Sequence, residues 1–173
     1  AEEAGEETGG PAYEAALRLD PIKPEVQELL AVTYAAKGDL EQAYMQMRFA
    51  LVNKVQPELP ARLKLIDYAV RLGRFEEALE QYDVVFSLQG VDIVHFEEAV
   101  SLAINELRQP ERGAAISKLA LDALGESPRV LSLLGWTALA GERLGEAKAL
   151  LEKAVGEDPS LADAWYRLGV TEE

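Results

Sequence analysis

His95 is the single histidine of this chain, and cysteine is absent. Ser-His-Asp chemistry would have to run through that one imidazole, yet no G-x-S-x-G elbow presents a serine to it. Without cysteine there is no thiol nucleophile, disulfide or Cys-type zinc site. Adjacent carboxylates are plentiful, as at Glu76-Glu77 and Glu97-Glu98. Neighbouring helix positions point about 100° apart, and solvated helix faces are rich in Glu, so such pairs are poor general acid–base couples. His95 falls near a helix start and reads as an ordinary polar residue. No calcium loop or HExxH occurs, and Gly9-Gly10 is not a phosphate loop. The residues point away from catalysis, and no cofactor or metal is expected.

The bulk numbers narrow the remaining classes. The chain has 173 residues, 49% of them hydrophobic, and a formal net charge of −14. So acidic a surface repels phosphate backbones and anionic lipid heads, and the aromatic residues are not interleaved with Lys or Arg as nucleic-acid sites require. It favours basic partners, mainly through faster and salt-sensitive encounter. No apolar run approaches the roughly eighteen residues needed to span a bilayer, so direct membrane insertion is not expected. The chain opens at Ala1 with no methionine and no visible signal peptide. It reads as a processed or excised product whose compartment the sequence does not disclose.

The elements that would carry a site are helices. Residues 1–11 form an acidic, Gly-rich segment in which Gly9-Gly10-Pro11 reads as a break and the rest as the remnant of a preceding repeat. Helices are expected over Ala12–Leu19, Pro24–Lys37, Asp39 to about Lys54, Leu59–Leu72, Phe75–Leu88, Asp92–Arg108, Glu111–Leu124, Pro128–Ala140, Leu144–Val155 and Leu161–Val170. Pro24 and Ser127-Pro128 are first-turn signals. Asp39 is a cap with Gln42 as its capping-box partner, and Pro57 is a stop. No period-2 run lies between turn signals, so the chain is all-α.

These helices come in a repeated sentence. Gly38-Asp-Leu-Glu-Gln-Ala43 returns as Gly73-Arg-Phe-Glu-Glu-Ala78, with a looser copy from Gly141 to Ala147. A period near thirty-five residues between two helical segments signals stacked helical hairpins. Leu131, Leu134, Gly135, Ala138, Ala147, Leu151, Ala154 and Pro159 form the best unit, and Trp165, Leu168 and Gly169 follow as W-x-x-L-G. Leu30, Ala31, Tyr34, Ala43, Met47 and Ala50 form a second. Leu65, Ala69, Ala78 and Tyr82 form a looser third, and Ala16 with Pro21 closes an earlier unit. The sequence resembles the tetratricopeptide repeat family on these residues. The resemblance implies a right-handed superhelical solenoid of antiparallel hairpins, units 24–57, 58–90, 91–127 and 128–159, with a partial unit at 160–173, all within one repeat domain spanning 12–173. Between Val91 and Gly125 the phase slips. Leu102, Ala103, Ala115 and Leu119 fit, but Asp122 falls where a small residue is expected and Ala123, one residue later, takes that place, so an extra residue is anticipated in that helix or its loop. Both ends read as interrupted repeats of a longer array.

In such arrays the first helix of each hairpin lines the concave groove. Carried over repeat by repeat, the resemblance places Glu25, Glu28, Val32 and Ala35 there, then Leu63, Asp67, Val70 and Arg71. Glu97, Val100, Ile104 and Leu107 follow, then Arg129, Ser132, Trp136 and Leu139, and finally Asp163, Tyr166 and Val170. Ser132, Trp136 and Leu139 lie at i, i+4, i+7, as do Val100, Ile104 and Leu107, each an apolar stripe apart from the packing stripe. The Lys, Asn and Arg clamp by which some family members grip acidic chaperone tails is missing.

The function implied is a non-enzymatic adaptor holding another protein or a peptide, basic with hydrophobic anchors, in an apolar groove with acidic surroundings. Trp136 is the leading anchor, because buried Trp truncations cost about 2 kcal/mol or more at interfaces. Three alternatives stay open: a secretion-type chaperone for a hydrophobic partner, a self-assembling scaffold, and a regulatory or periplasmic segment of a larger envelope-assembly protein.

Overall fold

The computed structural model describes residues 10–54 and 59–172. Among these the regular structure is helical, with no strand. The helices are α1 (Gly10–Leu19), α2 (Pro24–Ala36), α3 (Leu40–Asn53), α4 (Leu59–Arg71), α5 (Phe75–Val85), α6 (Ile93–Ser101), α7 (Pro110–Leu124), α8 (Pro128–Ala140), α9 (Leu144–Glu157) and α10 (Ala162–Val170). A π-helical turn, Leu102–Glu106, continues α6. The fold divides into two compact units, 1–90 and 91–173. No described helix is long and apolar enough to cross a membrane.

Local chemistry explains the helix starts. Asp39 caps α3 by accepting the backbone N–H of Gln42 at 3.2 Å. The Gln42 side chain does not return the bond, so the capping box expected there is only half formed. A complete box closes α6 instead. The Asp92 carboxylate accepts backbone N–H groups of the first turn, and the Asp92 N–H donates to Nδ1 of His95 at 3.1 Å. The lone imidazole is therefore a capping group. Gly10 belongs to α1 rather than to a break before it, and Pro57 and residues 1–9 lie outside the described residues.

The first unit stacks α1, the α2/α3 hairpin and the α4/α5 hairpin. Leu30, Ala31, Ala43, Met47, Leu65, Leu79 and Tyr82 are all buried there. The second unit stacks the α6/α7 and α8/α9 hairpins and α10. Small residues set the helix spacing: a Cβ on Gly135 would stand 2.7 Å from Cγ of Leu151, so only glycine lets α8 and α9 approach this closely.

Two buried series mark the second helices. One runs Ala43, Ala78, Gly113, Ala147 and the other Ala50, Val85, Ala120, Ala154, each member 34 or 35 residues after the last. Gly113 and Ala120 therefore restore the phase in the third hairpin. Ala115, Leu119 and Ala123, expected on or near the packing face, are exposed. The extra residue lies in the first helix, not the second. It is absorbed by the π-helical turn, where the N–H of Leu107 reaches the carbonyl of Leu102 at 3.0 Å, five residues back.

The turn copies also shift. Gly38 and Gly73 have φ of 82° and 72°, and their counterparts five residues before Gly113 and Ala147 are Arg108 at 57° and Glu142 at 59°. Glu142 rather than Gly141 is the left-handed residue of the fourth hairpin.

Candidate functional site

The second unit gathers one concave site from its three first helices. On α8, Ser127 accepts the N–H of Val130 and Pro128 fills the first turn, which fixes where the helix begins. From that start Arg129, Ser132 and Trp136 fall on one face, away from Leu131, Gly135 and Ala138 against α9. Glu97 and Ser101 come from α6, and Asp163, Tyr166 and Arg167 come from α10.

A cleft of about 500 Å³ opens between these helices, with Glu98, Ser132, Trp136 and Ser160 on its walls. An adjoining hollow of about 440 Å³ shares Trp136, Asp163 and Arg167 with it and adds the apolar Leu139, Tyr166 and Val170. The Trp136 ring and the Arg167 guanidinium stand at 4.4 Å, where the two hollows meet.

The two guanidiniums are held differently. Arg129 donates from Nε to Oε1 of Glu97 at 3.1 Å and from Nη2 to Oε2 at 2.5 Å, a bidentate fork. That hydrogen bonding, with the Glu97 charge, raises the Arg129 pKa above its usual value. Arg167 has only long contacts, 3.4 Å to Oγ of Ser132 and 3.7 Å to Asp163. Burial against Trp136 lowers its pKa, opposed by Asp163 and Glu97. It stays charged, since arginine loses its proton only far above neutrality. It is a cation at the junction of a polar and an apolar compartment.

Of the residues expected in the groove, Arg129, Trp136, Leu139 and Tyr166 come together here, with Glu97, Ser132, Asp163 and Val170. Val100 does not. It is 0% exposed and stands 35 residues before Gly135, in the packing stripe. The residue matching Trp136 on α6 is Ser101, not Ile104. Ile104 turns with the π-helical segment towards α7, its Cγ1 3.0 Å from where a Cβ of Gly113 would be. Neither it nor Leu107 lines the cleft. In the first unit, Val32, Leu63 and Val70 are half-buried on α2 and α4, and the exposed Asp67 and Arg71 pair along α4 at 3.4 Å. Glu28 is an ion-pair partner of Lys54.

Arg167 was not legible as a site residue. Its signal is its place just before Leu168 of the W-x-x-L-G run, which turns it back onto the preceding hairpin. Among the described residues no group of three or more His, Asp or Glu side chains could hold a metal ion.

The tetratricopeptide repeat family profile matches residues 11–46 and 132–173. Among solved structures, YrrB, described as a tetratricopeptide protein with an unusual peptide-binding site, has a TM-score of 0.63 at 19% identity over 92% of this chain and 81% of its own. Residues 41 to the end of MamA from Desulfovibrio magneticus RS-1 give 0.65 at 17%, over 87% and 84%. TTC0263, a thermophilic tetratricopeptide protein of Thermus thermophilus, gives 0.56 at 23%, over 92% and 87%. At these identities the likeness is one of fold. None of the curated protein sequences compared with the chain matches it.

Proposed function

The chain carries tetratricopeptide repeats, and from that premise we propose that it is a non-enzymatic adaptor whose second unit holds an extended segment of another protein. Tetratricopeptide proteins generally mediate protein–protein interaction. The observation that supports this site is the cleft across α6, α8 and α10, with the Trp136–Arg167 stack where it meets the apolar hollow. Among the structural neighbours YrrB is described by its peptide-binding site, which favours the same use here.

The chemistry selects the segment. An apolar side chain fits the hollow of Leu139, Tyr166 and Val170 beside Trp136. The adjoining cleft has Glu97, Glu98 and Asp163 against Arg129 and Arg167, and Arg129 is committed to Glu97. Basic residues flanking the apolar anchor suit that balance, and the net charge of −14 steers such a segment inward.

The test is selection of peptides from a displayed random library with the intact chain, counter-selected with Trp136→Ala. Apolar residues flanked by Lys or Arg should be enriched, with association slowed by added salt more than release is hastened. No enrichment, or equal capture by Trp136→Ala, removes the reading.

A further inference from the structure

Among the described residues three carboxylates line the cleft of the second unit, and they differ in commitment and in place. Glu97 gives both oxygens to the fork from Arg129. Glu98 borders the cleft but not the apolar hollow, whereas Asp163 borders both. The Asp163 side chain is 88% exposed, and its contact with Arg167, at 3.7 Å, is too long for a hydrogen bond. Its place in the first turn of α10 favours a negative charge there.

Ser132 adds a second, independent feature. It is 7% exposed and stands on the cleft wall. Its Oγ accepts from Arg167 at 3.4 Å, but among the described residues its own O–H has no acceptor. The other buried hydroxyls of α7 and α8 are satisfied. Ser117 and Thr137 lie 3.0 Å apart and reach the carbonyls of Ala114 and Leu134 at 2.9 and 3.0 Å. A buried hydroxyl with an unused proton costs free energy until something accepts it. A main-chain carbonyl is the acceptor that every extended segment has.

Given the adaptor role of this unit, on which the inference rests, we propose that the cleft reads a basic side chain standing two residues from the apolar anchor. The anchor enters the hollow beside Trp136, the basic group meets Asp163, and a carbonyl between them accepts from Ser132. Alternate residues of an extended chain share one face and lie about 7 Å apart. That spacing suits two seats that adjoin, and the residue between them points away unread. Arg167 already covers one face of Trp136, so like charge keeps the incoming cation off the indole and directs it to the carboxylate. Donation from Arg167 to Ser132 to the carbonyl forms a chain whose charged first member strengthens the second bond.

The experiment is selection of a displayed random peptide library in parallel against the intact chain, Asp163→Lys and Ser132→Ala, each with helical circular dichroism recorded. The intact chain should enrich Lys or Arg two residues from an apolar residue. Asp163→Lys should keep the apolar anchor and enrich Asp or Glu at the basic position. Between these two chains, the affinity ratio of synthetic peptides carrying Lys or Glu there should change by about tenfold or more. Ser132→Ala should bind the same sequences severalfold more weakly, because a carbonyl contact reads no side chain. A basic preference that survives Asp163→Lys, one at no fixed distance from the anchor, or full affinity in Ser132→Ala overturns the proposal and leaves the adaptor reading standing. Failure of the intact chain to enrich any apolar anchor removes both. Where Asp163→Lys loses helical signal, Asp163→Asn takes its place and should abolish the charge preference; a preference it retains overturns the proposal.

Discussion

The guanidinium of Arg167 lies 4.4 Å from the ring centroid of Trp136, so the indole on α8 is covered on one face by a cation from α10. Such a stack is worth about 0.5–1 kcal/mol where solvent has access and more as it dries. A segment seated beside Trp136 would meet both the indole and a charged group whose contacts to Ser132 and Asp163 are long, at 3.4 and 3.7 Å.

The stack should be visible in solution. The chain has two tryptophans, so a Trp165→Phe background isolates Trp136. In that background Arg167→Ala should red-shift the emission and raise acrylamide quenching severalfold, while helical content stays constant. Unchanged quenching would mean that the guanidinium does not shield the ring.

What the sequence disclosed and what it hid divide along the repeat phase. Hairpins with Ala43, Ala78 and Ala147 were legible because small residues recur in register with the turns. Their groove slots followed by counting, which is why Arg129, Trp136 and Tyr166 fall in one site. The third hairpin failed because counting assumes uninterrupted 3.6-residue turns. Slots copied from α8 onto α6 stand three residues late: two because the second helix packs through Gly113 where the count puts Ala115, and one because an extra residue between Ala103 and Gly113 is absorbed in the π-helical turn. Val100, a groove slot by that count, is core, while Ser101 faces the cleft. Arg167 was missed for another reason: an arginine on a helix face carries no periodic signal until the indole it covers is in place.

Two glycines at the same repeat position should respond oppositely to one methyl group. Gly135→Ala places a carbon 2.7 Å from Cγ and 2.9 Å from Cδ2 of Leu151, which is fully buried. Overpacking of this kind costs about 1–3 kcal/mol, more than the helix-propensity gain of about 1 kcal/mol. The variant should be less stable in urea. Gly169→Ala meets open space and should gain up to about 1 kcal/mol in helix propensity. Equal effects at the two sites would contradict the difference in space around them.

The left-handed residue between α8 and α9 offers a stabilising change. Glu142 holds φ 59° where the corresponding residues of the first two hairpins are Gly38 and Gly73. A side chain in that region costs about 1–2 kcal/mol, and glycine returns part of this through its freer unfolded chain. Glu142→Gly should therefore raise the unfolding free energy by about 0.5–1 kcal/mol. Gly38→Ala should lower it by a similar amount although nothing lies within 4 Å of its Cβ position, because the penalty is in the backbone. A thermal melt of each variant decides the point.

The approach to α10 contains a pH-sensitive turn. Oδ1 of Asp158 accepts the Ser160 hydroxyl at 2.6 Å and the Ser160 backbone N–H at 3.0 Å. These bonds, the hydroxyl first, hold the Asp158 pKa below its usual value. A carboxyl depressed in the folded state favours folding above its unfolded pKa of about 3.9. That contribution disappears as pH falls through the folded value, because the unfolded chain takes up the proton more readily. Ser160→Ala removes the first and larger bond but keeps the backbone one. The Asp158 carboxyl should then titrate at higher pH in a carbon-detected NMR titration, closer to an ordinary aspartate though still below it. Its share of the acid-side stability loss should shrink in step. An unmoved midpoint would show that the Ser160 hydroxyl points elsewhere in solution, leaving it free to face the cleft it borders.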